Sequence, residues 1–130
     1  MSFVEDLTKL SDIILFSGAI PGQGGTNHVN EQWHSYWIEK FLRFGYVAID
    51  CIRPLIWNIN QLEVCYRSGL FLYVNRNELY RYPELQEYYL KHRDDTVYDY
   101  VHPEMWVSRL IQFKNMAQNF QAYIEKLNQK

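Results

Sequence analysis

The side chains best suited to chemistry lie in one glycine-rich segment, GAIPGQGGTNHVNEQW at positions 18–33. Within it, His28 could act as a general base, because an imidazole titrates near neutral pH and can take a proton from a hydroxyl or an amine. The alternative is a structural role, in which the ring donates a hydrogen bond to a backbone carbonyl and holds the loop. The sequence leaves both interpretations of His28 open.

Polar residues around His28 could bind a substrate. Gln23 lies among the glycines, where its amide could contact a substrate directly. Asn30 and Glu31 also have a structural interpretation, because asparagine is a favoured N-cap and an acid complements the positive end of the helix dipole. The candidate substrate-binding residues are Gln23, Asn30, Glu31 and Gln32.

Two apolar segments predict the strands that position this loop. DIILFS at 12–17 shows no alternation of apolar and polar residues, which is typical of a strand buried on both faces. YVAIDCI at 46–52 is a second apolar strand, and the aromatic stripe of 31–44 predicts a helix between the two. With a short helix capped by Ser2, the first fifty residues predict helix, strand, loop, helix and strand. Such a crossover lays its two strands parallel in one sheet.

The second half of the chain is richer in helices. LEVCYRSGLFLYVN at 62–75 is β-branched and aromatic, and predicts one strand or two short strands bent at Ser68-Gly69. A charged, tyrosine-rich helix follows at 77–93, which Pro83 either opens or kinks.

A long amphipathic helix is predicted from Pro103 to the end of the chain. Its apolar residues recur at spacings of three and four, and we call them the α6 stripe: Trp106, Leu110, Phe113, Ala117, Phe120, Ile124 and Leu127. We expect the stripe to pack on its own domain. A helical partner is the alternative, because the spacing is nearly that of a heptad repeat.

These elements indicate a single α/β domain with two parts. Residues 1–75 form a half-domain with a partial sheet, and 76–130 form a helical C-terminal extension packed on it. The strand at 12–17 reads as a central strand, yet the chain supplies a parallel neighbour for one side only. We therefore expect one of three arrangements. Another chain completes the sheet, the domain closes in an unusual way, or the domain is the remnant of a larger one.

Composition narrows the classes of function. The formal net charge of −2 gives no basic surface, which argues against nucleic acid as a partner. Aromatic residues make up 17% of the chain, enough for a heavy core and for contacts at an interface. No apolar run approaches the roughly 20 residues of a membrane span, and the N-terminus does not resemble a signal peptide. Cys51 and Cys65 form no metal-binding pair, so we expect free thiols in a cytoplasmic protein.

The run AIPGQGG…HVNEQW…SYW, together with RP…W and CYRSGLFLYV, carries a family resemblance. From Phe3 to about Val74 the chain resembles the carboxyl-terminal half of class I S-adenosylmethionine-dependent methyltransferases, in the subgroup with AIPxQGGxxHxNEQW after the fourth strand. Two positions depart from the pattern. His34 stands where the subgroup has proline, and Ser68-Gly69 replace an expected QN.

The resemblance implies a partial Rossmann-like methyltransferase sheet, its second half only, with extra C-terminal helices. It implies S-adenosylmethionine as the cofactor, lying over the small residues Ser17, Gly18, Ala19 and Ile20 at the end of the strand. The glycine-rich loop would face a small-molecule methyl acceptor, with His28 as general base. Neither the resemblance nor the residue types and their spacing indicate a metal-binding site.

The cofactor half of such a domain carries a glycine-rich turn after its first strand and an acid at the end of its second. Only eleven residues precede the strand at 12–17, so we expect neither feature and little or no cofactor binding by the chain alone. Three functions stay open: a truncated methyltransferase-like protein, one subunit of a split methyltransferase, and a non-catalytic module for self-association or partner binding. Each favours a homodimer or a second chain that covers the sheet edge.

Overall fold

A computed structural model describes residues 2–128. Its elements in chain order are α1 (Phe3–Thr8), β1 (Ile13–Ser17), α2 (His34–Leu42), β2 (Tyr46–Ile49), α3 (Arg53–Ile56), α4 (Val64–Gly69), β3 (Leu70–Asn75), a 3-10 helix (Arg76–Arg81), α5 (Pro83–His92) and α6 (Pro103–Asn128). The fold is mixed α/β, as the sequence predicted. None of the helices in this described part is both long and apolar enough to span a membrane.

The sheet has the strand order β1-β3-β2, and β3 is antiparallel to both neighbours. Consequently β1 and β2 run in the same direction but do not pair with each other. The prediction of two adjacent parallel strands, as in a Rossmann-like half-sheet, is therefore wrong for the described residues. The physical reason is the composition of β3, which carries apolar side chains on both faces and takes the central place. Its Phe71, Tyr73 and Val74 are almost completely buried.

The predicted strand at 62–75 is half helix. Residues Val64–Gly69 form α4, and the strand begins only at Leu70. Arg67 gives the physical reason, because its buried guanidinium donates to the carbonyls of Trp57 and Leu62 and so closes this segment on itself. Ser68 and Gly69 end a helix here and do not bend a strand.

Two apolar cores lie on opposite faces of the sheet. On the first face, α1 and α2 cover alternate residues of the strands, and the Phe41 ring stacks on Tyr73 with centroids 3.9 Å apart. On the second face, the 3-10 helix and α5 cover Val47, Ile49 and Val74. The sheet is thus the middle layer of three.

β1 is an edge strand, and its second face is only partly covered. Ile14 and Phe16 pack into the first core, whereas Leu15 points the other way and is 55% exposed. The prediction of burial on both faces is therefore wrong for β1. Among the described residues, nothing pairs with its outer edge.

α6 begins at Pro103, as predicted, but most of it does not pack on the domain. Its buried residue is Met105, near the start. Five large side chains of the α6 stripe are exposed, from 49% at Leu110 to 66% at Phe120, and Ile124 is half-buried. The expectation that the stripe packs on its own domain is therefore wrong for most of α6, and only its first turns approach the glycine-rich loop.

Candidate functional site

The glycine-rich loop opens with a tight turn directly after β1. The amide of Gln23 donates to the carbonyl of Ile20 at 2.9 Å, with Pro21 and Gly22 between them. Gly22 has a φ of +76°, and a proline followed by such a glycine is the pattern of a type II turn. The glycine is needed here because other residues rarely adopt that conformation.

Glu31 holds the rest of the loop. Its carboxylate accepts hydrogen bonds from the backbone amides of Gly22 at 2.8 Å and Gly24 at 2.7 Å. Desolvation acts to raise the pKa of Glu31, but the hydrogen bonds from Gly24, Gly22 and His28 outweigh it and lower the pKa. These glycine amides are therefore occupied by the chain's own carboxylate.

His28 lies beside the same carboxylate. Its Nδ1 is 3.4 Å from Glu31 Oε1, and about a third of the side chain is exposed. A carboxylate next to one ring nitrogen fixes the orientation and tautomer of an imidazole. The Nε2 atom makes no hydrogen bond with any residue of 2–128, so this nitrogen is the one positioned to take up a proton.

The remaining polar residues predicted for substrate binding bond mainly within the loop. The Gln23 Oε1 accepts from the Ile20 amide at 3.2 Å, and the Gln32 Nε2 donates to Asn30 Oδ1 at 3.1 Å. The Gln32 amide also donates to the carbonyl of Ala19. Asn30 does not cap α2, which begins at His34 and not near residue 31.

A distant side chain stabilises the start of α2 instead. Asp99 Oδ1 accepts from the Ser35 amide at 2.9 Å, across 64 positions of sequence. The interaction satisfies one of the free amides at a helix N-terminus and places a negative charge at the positive end of the dipole.

The four residues predicted at the end of β1 are tightly packed. A Cβ atom on Gly18 would overlap the indole of Trp37, so a glycine is required there for close approach. Ser17 Oγ lies near Gly69, the residue before β3, and Ile20 is buried. Of the four, Ile20 alone lines the cavity described next.

A cavity of about 170 Å³ lies between the glycine-rich loop and the first turns of α6. Its wall is mostly apolar and aromatic, and comprises Ile20, Pro21, Gly22, Gln23, Trp33, Val101, Met105, Trp106, Arg109 and Phe113. Arg109 supplies the positive charge, and within residues 2–128 no carboxylate forms a salt bridge with it. The cavity is suited to an apolar or aromatic molecule that carries an acceptor or anionic group.

The structure brings together part of the predicted site. Ile20 and Gln23 line the cavity, whereas His28, Asn30, Glu31 and Gln32 lie on the loop outside its wall. Sequence reasoning missed Arg109, which carried no local signal, and treated Trp33 and Trp106 as stripe residues of two helices. Only the approach of α6 to the loop reveals their shared role.

A buried ion pair lies beyond the carboxyl end of β2. Arg53 is fully buried and donates to both oxygens of Asp50, at 2.8 Å from Nε and 2.5 Å from Nη2. Its remaining N–H groups reach the carbonyls of Ser68, Tyr98 and Val97. The guanidinium also lies about 4 Å from ring centroids on either side, those of Phe71 and Tyr100.

A second polar cluster joins α4 to α6. Arg67, 3% exposed, bonds Glu104 in two places, and hydrogen bonding to Arg67 lowers the pKa of Glu104. The His102 amide donates to Ser68 Oγ at 3.0 Å. Together the two clusters fix the chain around residues 97–104, which packs at the carboxyl ends of β1 and β2.

His34 sits between these clusters and β1. It is 2% exposed, and its Nε2 has no hydrogen-bond partner within the described chain. Burial, with a smaller contribution from the Arg53 charge, lowers the pKa of His34 to about 4. The ring is therefore neutral at physiological pH.

Residues 2–128 contain no group of three or more metal-ligating side chains arranged to hold a metal ion. In comparisons with family models, curated proteins and solved structures, nothing matched this chain.

Proposed function

We propose that this chain forms the acceptor-side part of an S-adenosylmethionine-dependent methyltransferase. A further polypeptide segment, outside the residues described, supplies the cofactor-binding strands. The free edge of β1 is the observation that carries the proposal. β1 is uncharged and apolar, and no strand of residues 2–128 pairs with its outer edge; such an edge is a template for pairing with a strand of another chain. Since β1 and β2 share one direction, parallel strands added at this edge would give a larger mixed sheet. Antiparallel strands near the edge of mainly parallel sheets are common.

The loop supports the same assignment. The segment with the family resemblance leads directly from β1 into a cavity wide enough for part of a small molecule, and His28 lies on the same loop with Nε2 unbonded. In the proposed reaction, S-adenosylmethionine supplies the methyl group. Trp33 and Trp106 contact the apolar part of the acceptor in the cavity, and His28, outside the cavity wall on the same loop, takes the proton from a hydroxyl or amine that projects out of the cavity.

The described residues alone do not fit the cofactor. The amides of Gly22 and Gly24 are bonded to Glu31, and 97–104 packs at the strand ends, where doubly wound sheets bind ligands. Cofactor binding must therefore come from added strands, and we expect no binding of S-adenosylhomocysteine by the chain alone.

A chimera tests the proposal. The cofactor half of a methyltransferase from the resembled subgroup is fused before Phe3, and S-adenosylhomocysteine binding is measured by titration calorimetry. We expect binding at micromolar strength in the chimera and no detectable heat from the chain alone. In the chimera, His28→Ala should lower methyl transfer roughly 100-fold without weakening cofactor binding, whereas His92→Ala, outside the loop, should change neither.

Two results would contradict the proposal. A folded chimera that binds no S-adenosylhomocysteine would remove the methyltransferase assignment, and binding by the unmodified chain would show that it completes the site by itself. The second candidate function, a non-catalytic association module, is favoured by the exposed α6 stripe and would remain in the first case.

A further inference from the structure

We propose that α6 pairs with α6 of a second copy of this chain, with the two helices antiparallel. The inference rests on the stripe from Leu110 to Leu127, of which Phe113 also lines the cavity of the methyltransferase proposal. The stripe from residue 106 to 127 is apolar throughout, and its exposed large side chains are Trp106, Leu110, Phe113, Phe120 and Leu127, at 49–66%. Ile124 is half-buried. A helix of 26 residues is about 39 Å long at 1.5 Å per residue, which is long enough for a stable helix pair.

The stripe follows a strict heptad pattern. The steps from Trp106 to Leu127 alternate between four and three residues, so Leu110, Ala117 and Ile124 occupy a positions and the others occupy d positions. This is the spacing that keeps one face of a helix against another over several turns. Val107, Met116 and Tyr123 lie beside the stripe at e and g positions and are also exposed, so the apolar face is wider than the stripe itself.

The charge of Lys114 favours an antiparallel pair. Arg109 lies at a g position and Lys114 at the following e position, and these positions face each other between parallel helices. A parallel pair would therefore place Arg109 of each copy against Lys114 of the other. In an antiparallel pair centred between residues 118 and 119, Lys114 faces the uncharged Gln121, which removes the like-charge contact at Lys114.

The sizes of the side chains agree with the same register. Antiparallel pairing about this centre places Ala117 against Phe120, Phe113 against Ile124 and Leu110 against Leu127 of the second copy. A small residue thus meets the large aromatic ring at the middle of the interface, twice by symmetry. In a parallel pair Phe120 would meet Phe120, and Ala117 would meet Ala117 across a gap.

The position of the domain also favours antiparallel helices. The glycine-rich loop already contacts the first turns of α6 around Trp106, Arg109 and Phe113. Parallel helices would bring the loops of two copies to the same end of the pair. In the antiparallel pair each domain lies at its own end, where it meets only the last turns of the second helix.

Sedimentation velocity on the full chain tests whether the stripe mediates association. We expect a species of twice the chain mass of 15.7 kDa. Phe120→Glu should weaken association at least about 100-fold, because a carboxylate would be buried at the centre of the interface. The matched control is Asn119→Glu, one position away on the outer face, which should remain a dimer. Circular dichroism should show that both variants stay folded, since Phe120 is 66% exposed.

Cysteine cross-linking tests the orientation. The unmodified chain, with Cys51 and Cys65, gives the background under oxidation. Leu110→Cys combined with Leu127→Cys should cross-link efficiently, and Leu110→Cys alone should not. Efficient cross-linking of Leu110→Cys alone would show parallel helices. A monomeric parent chain, or a Phe120→Glu variant that still dimerises through another surface such as β1, would overturn the proposal.

Discussion

Single buried side chains account for much of the chemistry of this molecule that composition does not reveal. The charge of a histidine side chain depends on pH and on its surroundings. For His34, burial and the Arg53 charge keep the ring neutral. Its place at the first position of α2 is also where the resembled subgroup has proline. A proline suits that position because it needs no amide hydrogen there and because Trp33, which precedes it, has an extended backbone.

His34 should make the protein sensitive to mild acid. In the unfolded chain the ring takes up a proton near pH 6.5, whereas in the folded chain it does so only near pH 4. The free energy of unfolding is therefore highest above pH 6.5 and should fall by about 3 kcal/mol between pH 6.5 and 4. Urea unfolding at several pH values measures this slope. His34→Pro should flatten the profile, and an unchanged slope in that variant would assign it to another group.

Individual elements depend on residues far away in the chain. Ser2 and Glu5 form a capping box at α1, and the sequence predicted the cap at Ser2 correctly from local residue types. The cap of α2 could not be predicted in the same way, because the Asp99 carboxylate accepts its hydrogen bond from the Ser35 amide, 64 positions away. A local candidate, Asn30, was available and was wrong.

Removal of this long-range cap should loosen α2. We expect Asp99→Ala to lower the free energy of unfolding by about 1 kcal/mol, the usual effect of losing an N-cap side chain. Asp95 lies in the same loop, but its side chain accepts no hydrogen bond from residues 2–128, so Asp95→Ala should change stability little. Thermal and urea unfolding give both values, and equal losses in the two variants would mean that the loop's charge matters and not the cap.

Strand order shows the limit of prediction at this scale. The apolar runs located β1 and β2 correctly, because strands that pack against a core are rich in apolar residues. The pairing was not predicted, since it depends on which strand can bury both faces, and β3 was hidden within a longer apolar segment that includes α4. The exposure of the α6 stripe could not be predicted either, because the spacing is the same whether the helix packs on its own domain or on a partner.

At the scale of the whole molecule, Arg53 joins parts of the chain that are distant in sequence. It bonds Asp50 after β2, Ser68 in α4 and the carbonyls of residues 97 and 98. No motif predicted this network, because the sequence shows only that Asp50 and Arg53 lie three positions apart. Their complete burial makes the pair a centre of the fold.

Breaking this pair should destabilise the whole molecule. Arg53→Met leaves the carboxylate of Asp50 buried without its partner, and we expect a loss of roughly 3–5 kcal/mol in the free energy of unfolding. Arg53→Met together with Asp50→Leu should recover part of that loss, because no buried charge remains. Chemical denaturation of the two variants measures the difference, and a double variant less stable than the single would contradict this account.

The carboxylate of Glu31 has a consequence for any anion offered to the glycine-rich loop. It is a competitor tethered a few residues from the amides it occupies, so its effective concentration is on the order of millimolar or higher. A free phosphate or carboxylate at micromolar concentration cannot displace it. A ligand of this loop must therefore be selected by side chains such as Gln23, Trp33 and Arg109. The amides of Gly22 and Gly24 do not take part, because they already donate to Glu31.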